Sequence, residues 1–302
     1  MLATTAAAYV HWSGDLSGLS QRNGITPAIA SRLATSLALS HHAHSSDVTV
    51  GIVRSGRDID VDLADTMIGP CVSVLPSRLV VLSGSDSPSL LDLAKAETKS
   101  DRLARLNQRV TLSDLARICS LPGRADLFDI LVTYQSLAEL DDEEENLAPW
   151  PIRQPPERIH MPTNYTLSFE FTPEKNEPDR LELACYFDER IIGQAQVEGI
   201  LRTIAQVLDY LTTAPCTKVD QLKLGETAPK LEKQIRTEPV EEKLSKEERE
   251  KLAPMVEKLK REWAAVLRLD VEDFGADESF GSLGGDSVSH LQLSPLSLSR
   301  PH

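Results

Sequence analysis

Residues 26–53, TPAIASRLATSLALSHHAHSSDVTVGIV, contain a helix followed by a strand, and the rest of the chain repeats that alternation. Thr26 is a good N-cap and Pro27 suits the first helical position, where its missing N–H is not needed. They open the apolar run PAIASRLATSLALS. Asp47 to Val53 then alternates apolar and polar residues with period two, which predicts a strand.

Working outward, VSVLPSRLVVL from Val72 reads as a second strand, and Pro76 within it predicts an edge or bent position. Leu90 to Leu106 reads as a helix. Asp129–Gln135, Tyr165–Phe171 and Leu181–Phe187 read as three more strands. A long helix follows over about Ile191–Leu211, with Val197, Ile200, Leu201, Ile204, Val207, Leu208 and Leu211 on one apolar stripe. Strands alternating with helices over residues 1–225 predict a mixed α/β layer structure. Residues 226–243 are polar, charged and carry two prolines, which predicts a linker. Beyond it, Ser245 and Glu248 form a capping-box pattern, and Pro254 predicts a kink or a second helix start. Met255, Val256, Leu259, Trp263, Val266 and Leu267 form a further apolar face. No repeat of solenoid length is present.

The 302 residues are 41% hydrophobic, enough for a packed core, and carry a formal charge of -14. That charge disfavours binding to nucleic acid or to anionic membrane surfaces. No apolar run approaches a bilayer's thickness, and the Ala-rich start MLATTAAAYVHWSGD lacks a basic region, so no signal peptide is expected. Cys71, Cys119, Cys185 and Cys216 are widely spaced, which predicts buried free thiols in a reducing, cytoplasmic setting. The acidic run Asp141–Glu145 reads as a solvated loop.

Two clusters could carry chemistry. His41, His42 and His44, followed by Asp47, could suggest a base or a metal site. Adjacent histidines at a helix end do not readily converge on one ion, and a polar helix-to-strand loop is the better expectation; no metal is expected. The second cluster is DESFGSLGGDS, Asp277–Ser287. Gly284-Gly285 permits a tight turn, Asp286 and Ser287 start a helix, and VSHLQL continues it. A serine hydroxyl there is exposed beside free helix N–H groups, which suit a phosphodiester anion. Taken alone, GGDS is also compatible with an ordinary capped turn.

An amphipathic helix, a loop and then D-x-S-F-x-x-L-G-G-D-S closely resemble the peptidyl carrier domains of nonribosomal peptide synthetases. The resemblance implies that Ser287 bears 4'-phosphopantetheine, supplied from coenzyme A by a phosphopantetheinyl transferase. It also implies that Phe280 and Leu283 anchor the loop on the core. MIGPCVSVLPSR, Met67–Arg78, is similar to the condensation-domain motif I-G-x-F-V-N-T-x-x-x-R at Ile68, Gly69, Val72 and Arg78, with Cys71, Ser73 and Val74 in place of Phe, Asn and Thr. DVTVGIVRSGRD resembles the strand and Gly-Arg turn before that motif. Asn107-Gln108 with TLSDL, and ADLFDILVTYQ, resemble two later motifs, Asn107 replacing the usual His. The wording Met-Ile-Gly-Pro-Cys resembles fungal synthetases.

This resemblance implies three parts: the C-terminal lobe of a condensation domain over 1–225, with a fold like chloramphenicol acetyltransferase; a linker; and an incomplete carrier domain over 244–293, with an irregular tail. The family's H-H-x-x-x-D-G motif is not present, since in HHAHSSDV the Asp comes one position late and no Gly follows. No catalytic residue is therefore assigned, and condensation by this stretch alone is not expected. Arg57, at the Gly-Arg turn, corresponds to an arginine that pairs with the Asp of that motif, and Arg78 is equally consistent with a surface strand residue. Expected partners are the transferase, adenylation and condensation domains, and acyl or aminoacyl groups. Two alternatives remain: a non-catalytic docking or scaffold protein, and a stand-alone acyltransferase using His41, His42 or His44.

Overall fold

The computed structural model describes residues 5–57, 71–82, 84–108, 110, 114–115, 118–119, 127–135, 165–175, 177–225, 246–276, 280 and 283. They divide between two compact units, one holding every described strand and the other the helix that begins at residue 246.

The first unit is a six-stranded mixed sheet: β1 (Thr5–Ser13), β2 (Asp47–Arg54), β3 (Ser73–Val80), β4 (Ile130–Tyr134), β5 (Leu167–Glu174) and β6 (Glu177–Asp188). Its order is β1-β6-β5-β4-β2-β3. The pairs β5/β4 and β4/β2 are parallel, and the others antiparallel. The register sets one row of residues across the sheet: Ala8, Cys185, Phe169, Val132, Ile52 and Leu75 are successive partners. Side chains alternate between faces along a strand, so this row and its equivalents two residues away share one face. That face is buried at Trp12, Val50, Phe171, Leu181, Leu183 and Phe187. Pro76 stands on β3, at the end of the sheet and opposite Gly51, where a missing N–H costs no ladder bond on its open side. Gly51 is required by close approach, because a Cβ there would lie 2.2 Å from the Phe128 ring.

Four helices belong to this unit: α1 (Leu16–Asn23), α2 (Pro27–Ala43), α3 (Leu90–Leu106) and α4 (Gln194–Thr213). The Thr26 hydroxyl accepts from the Ile29 N–H, as the N-cap reading expects. Ser89 and Asp92 form a reciprocal capping box on α3. α2 is buried almost all round and packs on α4; Ala30, Ala34 and Ala38 along it have no exposure. All seven stripe residues of α4 are likewise fully buried.

β1 and α1 were not expected. Alanine is a weak strand former, and β1 exists because its whole length pairs with β6 and Trp12 donates to Asp209 Oδ1 on α4 at 2.8 Å. α1 does carry legible signals: Asp15 caps its start, and Gly24 ends it in the left-handed conformation, φ 70.

In the second unit, α5 (Lys246–Leu267) continues through Pro254, so no second helix starts there. The proline removes one N–H bond, but good helix formers flank it on both sides. Only the C-terminal half of the α5 stripe is engaged. Ala264 and Leu267 are buried with Phe274 and Leu283, whereas Leu252, Met255 and Leu259 are exposed. The proposed linker, the Ser245 cap and the Asp141–Glu145 run lie outside the described residues.

Candidate functional site

Ser287, Gly284, Gly285 and Asp286 lie outside the described residues, as does Gly69. The residues leading to them are described. Leu283 is 2% exposed and packs in the cluster of Ala264, Leu267 and Phe274. Phe280 lies against the same cluster, its ring 5.2 Å from that of Trp263 and tilted by 59°. Lys260 Nζ sits 5.2 Å above the Phe274 ring. The chain is thus fixed on α5 four residues ahead of Ser287.

The histidine cluster has a structural explanation. His41 and His42 occupy the last turn of α2 and His44 is its left-handed cap, φ 50, so the expected loop is instead a helix end. His42 is 3% exposed rather than solvated. Its Nε2 lies 2.9 Å from Thr203 Oγ1 on α4, and the Thr203 hydroxyl donates to the Gly199 carbonyl, so His42 Nε2–H is the donor to Thr203. Burial, followed by the neighbouring His41, pushes the His42 pKa down to about 4, leaving it neutral at ordinary pH. A buried, neutral ring engaged with Thr203 is poorly placed as a base for an external substrate. His41 turns elsewhere, its Nε2 3.0 Å from the Gly225 carbonyl.

The two arginines singled out by motif are not brought together. Arg78 pairs through both Nε and Nη2 with Asp47, at 2.8 and 2.7 Å, on an exposed part of the hairpin. It faces Thr49 near the start of β2, whereas Arg57 lies in the turn beyond Arg54, the end of β2, which is itself about 17 Å further along at the usual strand rise. The Arg57 N–H donates to Ser55 Oγ at 3.4 Å in the turn at Gly56, whose φ is 66.

A different ionic group, not apparent from the sequence, lies where α2, α3 and β2 meet. Arg32 Nε is 2.7 Å from Glu97 and Arg32 Nη1 is 2.9 Å from Asp101, while Arg54 also engages Asp101. Ser77 donates to Glu97 at 2.6 Å, joining β3 to the group. Burial alone would raise the Asp101 pKa, but the guanidiniums of Arg32 and Arg54 hold it below the usual carboxylate range. The signal was faint: an arginine on an apolar helix stripe, and two carboxylates one turn apart on α3.

The cysteine expectation needs correction. All four are free, but only Cys185 is buried; Cys71 is half-buried, and Cys119 and Cys216 are exposed. Apolar neighbours in sequence did not ensure burial because Cys216 falls in the turn after α4. Burial pushes the Cys185 thiol pKa up.

Comparison with known proteins agrees with this architecture. Residues 11–232 match the condensation domain family, and residues 257–295 match the phosphopantetheine attachment site. The chain belongs to the condensation domain family. The second match implies a covalently attached 4'-phosphopantetheine. Relatives include nonribosomal peptide synthetase 2 of Cochliobolus heterostrophus, 26% identical over 69% of this chain and 4% of that protein. Another is nonribosomal peptide synthetase otaB of Aspergillus carbonarius, 25% identical over 72% of this chain and 11% of that protein. The chain therefore spans a small fraction of the relatives it matches. Its fold resembles the crystal structure of CT, with a TM-score of 0.59 and 21% identity over 74% of this chain and 48% of that one. It also resembles holo-AB3403, a four-domain nonribosomal peptide synthetase, with a TM-score of 0.60 and 14% identity over 74% of this chain and 18% of that one.

Proposed function

We propose that this chain is part of a nonribosomal peptide synthetase, in which Ser287 carries acyl or aminoacyl groups as thioesters on a phosphopantetheine arm. The supporting observation is the attachment-site match over residues 257–295, which includes the LGGDS sequence and whose Leu283 is held on α5. The chemistry fits the group: a serine hydroxyl supplies the oxygen for a phosphodiester, and the anchored Leu283 keeps the approach to it on the carrier unit. In the loading step the Ser287 oxygen bonds to the phosphorus bearing the pantetheine, the pyrophosphate bond of coenzyme A breaks, and 3',5'-ADP leaves while the serine proton passes to a base on the transferase. The lobe over 1–225, the linker over 226–243 and the carrier over 244–293 are the working division. Within it, Phe280 and Leu283 are the anchors ahead of the Gly284-Gly285-Asp286-Ser287 sequence, and Arg57, Gly69 and Arg78 belong to the lobe's motif sequences.

Partners on this reading are a phosphopantetheinyl transferase and neighbouring adenylation and condensation domains. A reducing, cytoplasmic setting is supported by the four free cysteines. No described helix is long and apolar enough to cross a membrane.

The test is incubation with coenzyme A and a promiscuous transferase, read by intact mass. Wild type gains the mass of one arm and Ser287→Ala gains none. An unmodified wild type, or an arm retained by Ser287→Ala, rejects the assignment.

A further inference from the structure

α4 ends at Thr213, yet the chain does not leave the lobe there. Residues 214–225 turn back and are bound along their whole length. The Leu91 N–H donates to the Pro215 carbonyl at 2.8 Å and the Leu90 N–H to the Thr217 carbonyl at 3.0 Å. The Val219 N–H donates to the Pro88 carbonyl at 3.0 Å, and the Asp220 N–H to Ser87 Oγ at 3.2 Å. Leu222 and Leu224 then pack on the main core. Finally the Lys223 N–H reaches the Tyr210 hydroxyl at 3.4 Å, the Gly225 N–H donates to Gln206 Oε1 at 3.0 Å, and His41 Nε2 meets the Gly225 carbonyl at 3.0 Å.

The order of these contacts defines a direction. Lys223 is beside Tyr210 and Gly225 is beside Gln206, so the segment runs antiparallel to α4. From Thr213 back to Gln206 is about 10 Å along a helix rising 1.5 Å per residue. Both the N–H and the C=O of Gly225 are taken by side chains, one from α4 and one from the end of α2. A stretch bound only by chance would not have its two leucines on the core and its last peptide groups gripped from two helices.

We infer that residues 214–225 are a fixed strap that sets the root of the carrier's tether beside His41, with Gln206 as the positioning residue. The inference rests on the carrier reading for its purpose but not for its geometry. On the proposed linker over residues 226–243, residues 214–225 belong to the lobe and not to the tether.

The experiment uses the full chain as wild type, Gln206→Ala and Gln206→Ala/Tyr210→Phe. Native-state trypsin digestion is read by mass for cleavage after Lys223, and amide exchange is read at Gly225 and across Val207–Leu211. In wild type, cleavage after Lys223 is slow and the Gly225 amide exchanges at least tenfold below its free-chain rate. In both variants cleavage accelerates at least tenfold and Gly225 loses its protection, while Val207–Leu211 stay unchanged. Wild type cut after Lys223 as fast as the variants, a Gly225 amide exchanging freely in wild type, or protection unchanged in Gln206→Ala would each overturn the strap. Arm loading at Ser287 is followed on the same samples. Failed loading with an intact strap rejects the carrier reading alone, and normal loading with an unprotected strap rejects this inference alone.

Discussion

His42 shows how burial, helped by the neighbouring His41, can turn a residue suited to catalysis into a structural one. Its pKa, held down to about 4 against an ordinary 6.5, means the unfolded chain binds a proton that the folded chain refuses. The contribution is fully present above pH 6.5 and is lost as pH falls towards 4, where it levels off. At ~1.4 kcal/mol per unit the loss approaches about 3 kcal/mol. Urea denaturation of wild type and His42→Gln across pH 4–7 tests this: the variant has a smaller fall in stability over that interval. Asp101 is the other residue-scale case. It serves two buried guanidiniums, and Asp101→Ala leaves both with a lost partner, so a destabilisation of about 3–5 kcal/mol is expected by the same measurement. Exposed Arg78 offers the contrast: Arg78→Ala breaks a well-formed pair with Asp47 yet is expected to leave the urea midpoint nearly unchanged.

For the helices and strands, boundaries follow local chemistry where a cap is present. Ser89 accepts the Asp92 N–H and Asp92 reaches back to the Ser89 N–H, so α3 begins where its sequence says it should. Ser89→Ala removes that box and costs about 1 kcal/mol, measurable as a lowered denaturation midpoint with unchanged slope. β1 lies at the other extreme. Its alanines carry little strand preference, and its conformation comes from nine residues pairing with β6. β3 is intermediate: alternation marked it as a strand and Pro76 marked it as an edge, but only the pairing with β2 gives it a register.

At the scale of the whole molecule, the described residues form two apolar clusters, one in each unit. The lobe buries a continuous core under its sheet, and among the described residues of the second unit Ala264, Leu267, Phe274 and Leu283 form a separate cluster. Stability grows with buried apolar surface, and Leu283→Ala withdraws a side chain from the second cluster alone, so its cost is expected to fall on the second unit. Urea unfolding followed by amide exchange is expected to show two steps, with Leu283→Ala lowering one step and leaving the other in place. A single transition shifted as a whole by Leu283→Ala would contradict this independence.

Much of this was legible from residues alone. The helix and strand periods, the Thr26 cap, the edge proline and the motif around Asp277–Ser287 all depend on chemistry among neighbours a few positions apart. Only the tertiary structure decided that an alanine-rich stretch pairs as β1, that His42 is buried against Thr203, that Arg32, Arg54, Glu97 and Asp101 meet, and that residues 214–225 fold back on α4. Each of those outcomes depends on partners distant along the chain, such as His42 with Thr203 or Trp12 with Asp209. Burial and long-range hydrogen bonding are properties of the assembled sheet and helices, and no local window of sequence contains both partners.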